Sequence, residues 1–280
     1  MIAKKVKIEK LEEIDLPEEL IFDKKSKITL YRLLLYFIIY SILGFFIETA
    51  FGLAKYGMLE SRKSFLYGPF CAIYGVGAFI MIPSLTYFKK NHISLFVGGC
   101  IVGSIIEYLV SLIGELILKV KWWDYSELPL NINGRICLLY SVFWGVLGLV
   151  LMISINPRID KIIDFFKAKI SNNALKIIIL VTIFFMFVDC IITGLALNYF
   201  TIRTIKEKGI EVKNQEYIDN EYEKINKNEV LSNLINKFFN NKKMLITFPR
   251  ITLQDINGNI INISDLYPEI KTYYYNLNAQ

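Results

Sequence analysis

Residues 31–53 read YRLLLYFIIYSILGFFIETAFGL. Arg32 stands at the entry and Glu48 near the exit, and everything between them is apolar or small. A helix rises about 1.5 Å per residue, so about 20 residues cross a hydrocarbon core of about 30 Å. The run is long enough to do so, and it lacks the period-two alternation of a membrane strand. Four comparable runs follow. Residues 64–88 and 136–157 carry no charge, 93–118 carries Glu107 and Glu115, and 175–200 carries Lys176 near its start and Asp189 inside it. A soluble core helix does not stay apolar on all sides through five successive elements, so the sequence predicts five transmembrane helices at about 29–53, 64–88, 93–118, 136–157 and 175–200.

Composition agrees. Of 280 residues, 54% are hydrophobic and 21% charged, and mean hydropathy is +0.41. Charge concentrates at the ends, leaving 14 Lys/Arg and 9 Asp/Glu for residues 29–200. The net charge of +6 is spread over short connections rather than gathered into a stripe, which argues against a nucleic-acid partner. Residues 1–28 form a polar N-terminal segment without the apolar stretch of a signal peptide. The expected fold is therefore all-α and polytopic, multi-pass in the cell membrane, with 201–280 as a small soluble tail. In that tail, Glu229–Met244 fits a short amphipathic helix with Val230, Leu234 and Phe238 on one face. Asn257-Gly258 between two apolar stretches signals a β-hairpin. Lysine and arginine are nearly balanced on the two sides. Setting Arg62 and Arg135 aside favours an N-terminus inside and a C-terminus outside.

Two stretches echo each other. Gly44-Phe-Phe-Ile-Glu48 and Gly103-Ser-Ile-Ile-Glu107 are both G-x-x-I-E inside a lipid-length run. Downstream, Arg62/Arg135, Tyr67/Tyr140, Phe70/Phe143 and Gly75/Gly148 coincide at an offset of 73. This reads as a duplicated helix pair. Two crossings return the chain to its starting side, so the copies are expected to be parallel, related by an axis along the membrane normal.

Acids inside lipid-length helices cost about 2.5–3.5 kcal/mol on insertion scales, so they face partners or water. Gly44, Glu48 and Gly52 share one helix face, as do Gly99, Gly103, Glu107 and Ser111, and small residues at that spacing let helices approach closely. Glu48 lies roughly 24 Å along the axis from Arg32, toward the side where Arg62 and Arg135 open the next runs. The expectation is an intramembrane polar cluster of Glu48, Arg62, Glu107 and Arg135, with Asp189 as a fifth member. Its acids act either as inter-helix glue or as a relay for an ion or substrate.

The connection before Arg135 carries Trp122, Trp123 and Tyr125, either a headgroup belt or, with Asp124, Asn131 and Asn133, a lid over the cluster. Gly68, Pro69, Gly75 and Gly77 mark a helix break or close packing in the second run. Cys71, Cys100, Cys137 and Cys190 are far apart, and the single histidine, His92, is near none of them, so no metal site is expected. No Ser, Cys or His nucleophile constellation accompanies the acids, so an enzyme is not expected either, nor a cofactor.

The blocks IETAFG, SRKSFLYGPFCAIYGVGA, IEY, WWDYS and NINGR, spread over about Tyr36 to Pro157, resemble the putative ABC-transporter type IV permease family, the CmpB-like membrane proteins. Ala72 stands where that family more often carries proline. The resemblance implies a membrane subunit of an ATP-driven transport system, substrate unknown, and assigns no site residues. The chain has no G-x4-G-K-[ST], so the ATPase would be a separate subunit. Five helices are few for a transport path, so a homo-oligomer is expected. The alternative is a non-transporting membrane scaffold or sensor whose buried charges are structural and whose tail binds a partner.

Overall fold

The computed structural model describes residues 28–113 and 124–277. The N-terminal polar segment to residue 27, Glu115, Trp122 and Trp123 lie outside the described residues. Along the chain come α1 (Leu30–Tyr56), β1 (Met58–Glu60), α2 (Ala72–Thr86), α3 (His92–Ile113), α4 (Leu138–Leu149) and α5 (Asn156–Lys169). A π-helical stretch, Val150–Ile155, joins α4 to α5. Then follow α6 (Asn172–Lys208), α7 (Gln215–Lys227), α8 (Glu229–Phe238), α9 (Asn241–Thr247), β2 (Thr252–Gln254), β3 (Ile260–Asn262) and β4 (Tyr273–Asn276).

Among the described residues, four helical stretches are long and apolar enough to cross a membrane: Leu30–Tyr56, His92–Ile113, Leu138–Lys169 and Asn172–Lys208. The protein is a multi-pass helical membrane protein. The run at 64–88 behaves differently from the other four. Its helix, α2, starts only at Ala72 and has 15 residues, about 22 Å of rise. The reason lies in Gly68-Pro69. Gly68 sits at φ +70°, in the left-handed region, and the following proline disfavours helical geometry before it and lacks an N–H. Residues 61–71 are accordingly irregular, tied down by Cys71 N–H to the Ser41 carbonyl (2.8 Å) and Ala72 N–H to Ser64 Oγ (3.0 Å).

The chain divides into two compact units, one holding residues 80–171 and the other 29–79 with 172–280. In the first, α3 packs on α4 along glycines. A Cβ on Gly99 would meet the Trp144 carbonyl at 2.9 Å and Gly145 Cα at 3.0 Å, so backbone touches backbone there. In the second unit, α1 is capped by Thr29, whose hydroxyl accepts from Arg32 N–H, and ends at Gly57 in the left-handed conformation (φ 69°).

The apolar run at 175–200 is part of a longer helix. With 37 residues, α6 spans about 55 Å, well beyond a hydrocarbon core of about 30 Å. Its last turns stand in the core of the C-terminal part. Phe200, Ile202 and Ile205 pack there with Met244, Leu245, Leu253 and Ile263. Arg203 is buried because its Nη2 reaches the Phe239 carbonyl (2.8 Å). Over 229–244 the helix breaks after Phe238, because Asn240 turns extended and its side chain accepts from Lys243 N–H to start α9. β2 and β3 pair antiparallel across Asn257-Gly258, with Gly258 at φ +88°. β4 pairs antiparallel with β1, Leu59 opposite Tyr275, which fastens residues 273–276 to the end of α1.

Candidate functional site: two glutamate centres

In the first unit, Gly99, Gly103, Glu107 and Ser111 are all buried on one stripe of α3. A Cβ on Gly103 would collide with the Trp144 side chain of α4, so the glycine is what lets the indole lie across the helix. The indole N–H then donates to Glu107 Oε2 at 3.1 Å. The Tyr125 hydroxyl donates to Oε1 at 2.9 Å. Two neutral donors thus hold a carboxylate that is only 7% exposed. One turn on, Arg135 Nη1 donates to Ser111 Oγ at 3.3 Å, with its guanidinium over the Tyr108 ring.

Residues 124–137 fold back on themselves. Tyr125 N–H bonds the Gly134 carbonyl (2.8 Å), Asn131 accepts from Gly134 N–H (3.1 Å), and Asp124 accepts from Ser126 N–H (3.0 Å). Asn133 and Gly134 take positive φ, which closes the turn, and Asn133 Nδ2 donates to the Tyr108 hydroxyl. Tyr125 stacks on Tyr140 at 4.5 Å between centroids. Burial, and after it the bond to Glu107, holds the Tyr125 phenol well above its ordinary pKa, so it stays a donor.

The second unit repeats these relations with other residues. A Cβ on Gly44 would strike the Tyr74 ring of α2, and the Tyr74 hydroxyl donates to Glu48 Oε1 at 2.8 Å. One turn on, a Cβ on Gly52 would meet Arg62 Nε at 2.9 Å, so Arg62 lies on Gly52 as Arg135 lies on Ser111. The partner of Arg62 is Glu60, at 2.6 Å from its Nη2. Arg250, from the C-terminal part, donates its Nε to the same Glu60 oxygen at 2.5 Å. Arg62 and Arg250 both stand over the Tyr56 ring. Gly75 packs against Ser41 and the Phe37 carbonyl of α1, whereas a Cβ on Gly77 would meet open space.

Asp189 lies in this unit, 2% exposed. It accepts from Tyr67 N–H (3.0 Å) and from Thr193 Oγ1 (3.3 Å), and Thr193 accepts from Leu66 N–H (2.9 Å). Its task is thus to hold the irregular segment before α2 against α6. Lys63, whose ammonium donates to the Leu66 carbonyl, has its pKa lowered by burial, an effect that the Asp189 charge opposes.

The five predicted charges are therefore placed as Glu107 with Arg135 in one unit, and Glu48, Arg62 and Asp189 in the other. Tyr74, Trp144, Glu60 and Arg250 were not singled out from sequence. A polar ring atom in an uncharged lipid-length run needs a partner, and that signal pointed to Tyr74 and Trp144. No local signal marks Glu60 or Arg250, which meet across 190 residues.

The family described as Putative ABC-transporter type IV matches residues 35–194, from within α1 into α6. The chain belongs to that family. The matched region includes both glutamate centres and Asp189, and it stops before the C-terminal part. No curated protein and no solved structure matches the chain.

Proposed function

We propose that this protein is the permease-like membrane subunit of a transport system that works with a separate ATPase. The observation that carries the reading is the family match over residues 35–194, which coincides with apolar helices bearing buried, hydrogen-bonded acids. Acids at membrane depth are costly to retain and commonly mark pathways. These 280 residues carry no phosphate-binding loop, which supports a separate ATPase in this reading.

In this reading α2 is a fifth, broken crossing that begins at the Gly68-Pro69 turn, as helices lining transport sites often do. The helix pairs α1–α2 and α3–α4 are copies of one unit. The shared relations support this: a ring laid on the glycine four residues before the glutamate bonds that glutamate, and an arginine rests on the residue four after it. Glu48 and Arg62 are the polar groups open to the path, whereas Glu107, Arg135 and Asp189 brace the helices of their own units, and a homo-oligomer completes the path.

The test is affinity capture of the full chain in mild detergent followed by mass spectrometry. Reproducible recovery of one subunit with a phosphate-binding loop supports the proposal. Its repeated absence, together with loss of abundance rather than of flux in Glu48→Gln, supports a scaffold instead.

A further inference from the structure

Within the second unit an open cavity of about 400 Å³ lies between α1, the start of α2, α6 at Leu197, and the end of α9 with the segment after it. Glu48, Ile73 and Leu197 contribute from the helices, Arg62 from the irregular segment, and Phe248 and Arg250 from the C-terminal part. Its size is that of a small-ligand site, about 300–1,000 Å³.

The charges in it are incompletely used. Arg62 and Arg250 both spend a single N–H on one oxygen of Glu60, so two guanidiniums share one carboxylate. The remaining N–H groups of both side chains bond nothing among the described residues, and Arg62 Nε is buried without a partner. Glu48 accepts one bond, from Tyr74 at Oε1, and its other oxygen accepts none among the described residues. The cavity therefore offers guanidinium donors suited to a phosphate or carboxylate, together with an open carboxylate oxygen suited to an ammonium. A purely anionic ligand would face Glu48 and a purely cationic one would face the arginines and Lys63, so each would meet a like charge in a partly desolvated place.

We propose that this cavity binds a zwitterionic group, an anionic phosphate or carboxylate with an ammonium a few bonds away, the anion on Arg62 and Arg250 and the ammonium on Glu48. The same chemistry occurs in a free aminoalkyl phosphate and in an ethanolamine phospholipid headgroup. Leu197, Ile73 and Phe248 offer an apolar wall to either. The site rests on the geometry of the cavity and holds whether or not the protein transports anything.

The experiment uses the full chain, delipidated in detergent, and reads binding by native mass spectrometry and thermal shift. The probes are O-phosphoethanolamine, phosphatidylethanolamine, phosphatidylglycerol, inorganic phosphate and ethylamine. Saturable binding of O-phosphoethanolamine, or of phosphatidylethanolamine alone, supports the proposal and names the source as soluble or lipid. Arg250→Gln and Glu48→Gln are each expected to weaken that binding about tenfold or more, the loss of one charge-assisted hydrogen bond. Leu197→Trp, which keeps every charge but fills the cavity, is expected to abolish it, and circular dichroism checks that each variant is folded. Equal binding of inorganic phosphate or phosphatidylglycerol, or binding that folded variants leave unchanged, overturns the proposal.

Discussion

The centre at Glu107 and the centre at Glu48 are built on one plan and finished in opposite ways. Each glutamate sits on a small-residue stripe, takes a hydrogen bond from an aromatic ring of a neighbouring helix, and has an arginine one turn beyond. Glu107 then gains a second donor, Tyr125, from a loop fewer than 20 residues away, and both its oxygens are occupied. Glu48 has one donor and borders a cavity whose far wall comes from residues 247–251. A carboxylate satisfied twice by local residues is fixed structure. A carboxylate satisfied once beside open guanidiniums can still accept a ligand.

The largest expected effect breaks the helix seam. Gly99→Leu drives a side chain into the backbone of Trp144 and Gly145, which cannot swing aside, and should cost about 3 kcal/mol, the upper part of the range for overpacking. Gly77→Leu, which meets nothing, should leave stability unchanged within error. Both are read by denaturant titration of helical content in detergent.

Next come the glutamates themselves. Glu107→Leu removes the acceptor of two partly buried donors and should cost about 2–4 kcal/mol, while Glu48→Leu removes the acceptor of one and should cost about 1 kcal/mol. Equal costs measured on the same titration would erase the distinction between the centres. Smaller still is Arg250→Gln, which removes one partly exposed contact to Glu60 and should cost about 1 kcal/mol or less. Its expected signature is local, faster amide exchange in β4 and β1, with α3 and α4 unchanged.

The smallest effect is confined to alkaline pH. Tyr267 donates to Glu207 at 2.8 Å within the core of the C-terminal part, and burial raises its pKa from 10.0 to about 12. The folded state thus holds the proton more tightly than the unfolded one. Its contribution is complete below pH 10 and is lost as pH rises through about 12. Tyr267→Phe should flatten stability across that window, and a profile that does not change would contradict the assignment.

Membrane architecture was legible because it is a matter of run length, and charge-poor runs of about 20 residues admit few folds. The family was legible in local blocks such as GPFCAIYG and NINGR. Helix ends were less so. The extension of α6 to Lys208 depends on Arg203 finding the Phe239 carbonyl, and the late start of α2 depends on how Leu66 and Tyr67, just before Gly68-Pro69, are held by Thr193 and Asp189. At the candidate site, Glu48 and Glu107 stood out as rare acids in apolar runs, but their ring donors did not follow from spacing. Tyr74 lies 12 residues beyond Arg62, and Trp144 lies 9 beyond Arg135. The two ring donors thus differ in spacing from their arginines by about one helical turn, which a fixed offset cannot show.

The most direct test of an open centre beside a closed one is cysteine labelling at the two glutamates. In a background with Cys71, Cys100, Cys137 and Cys190 replaced, Glu48→Cys and Glu107→Cys are each exposed to a water-soluble maleimide in sealed vesicles of both orientations. Glu48→Cys should label rapidly from the side bearing the C-terminal part, and Glu107→Cys should stay unlabelled from either side until the protein is denatured. Rapid labelling of Glu107→Cys, or protection of Glu48→Cys from both sides, would contradict the account.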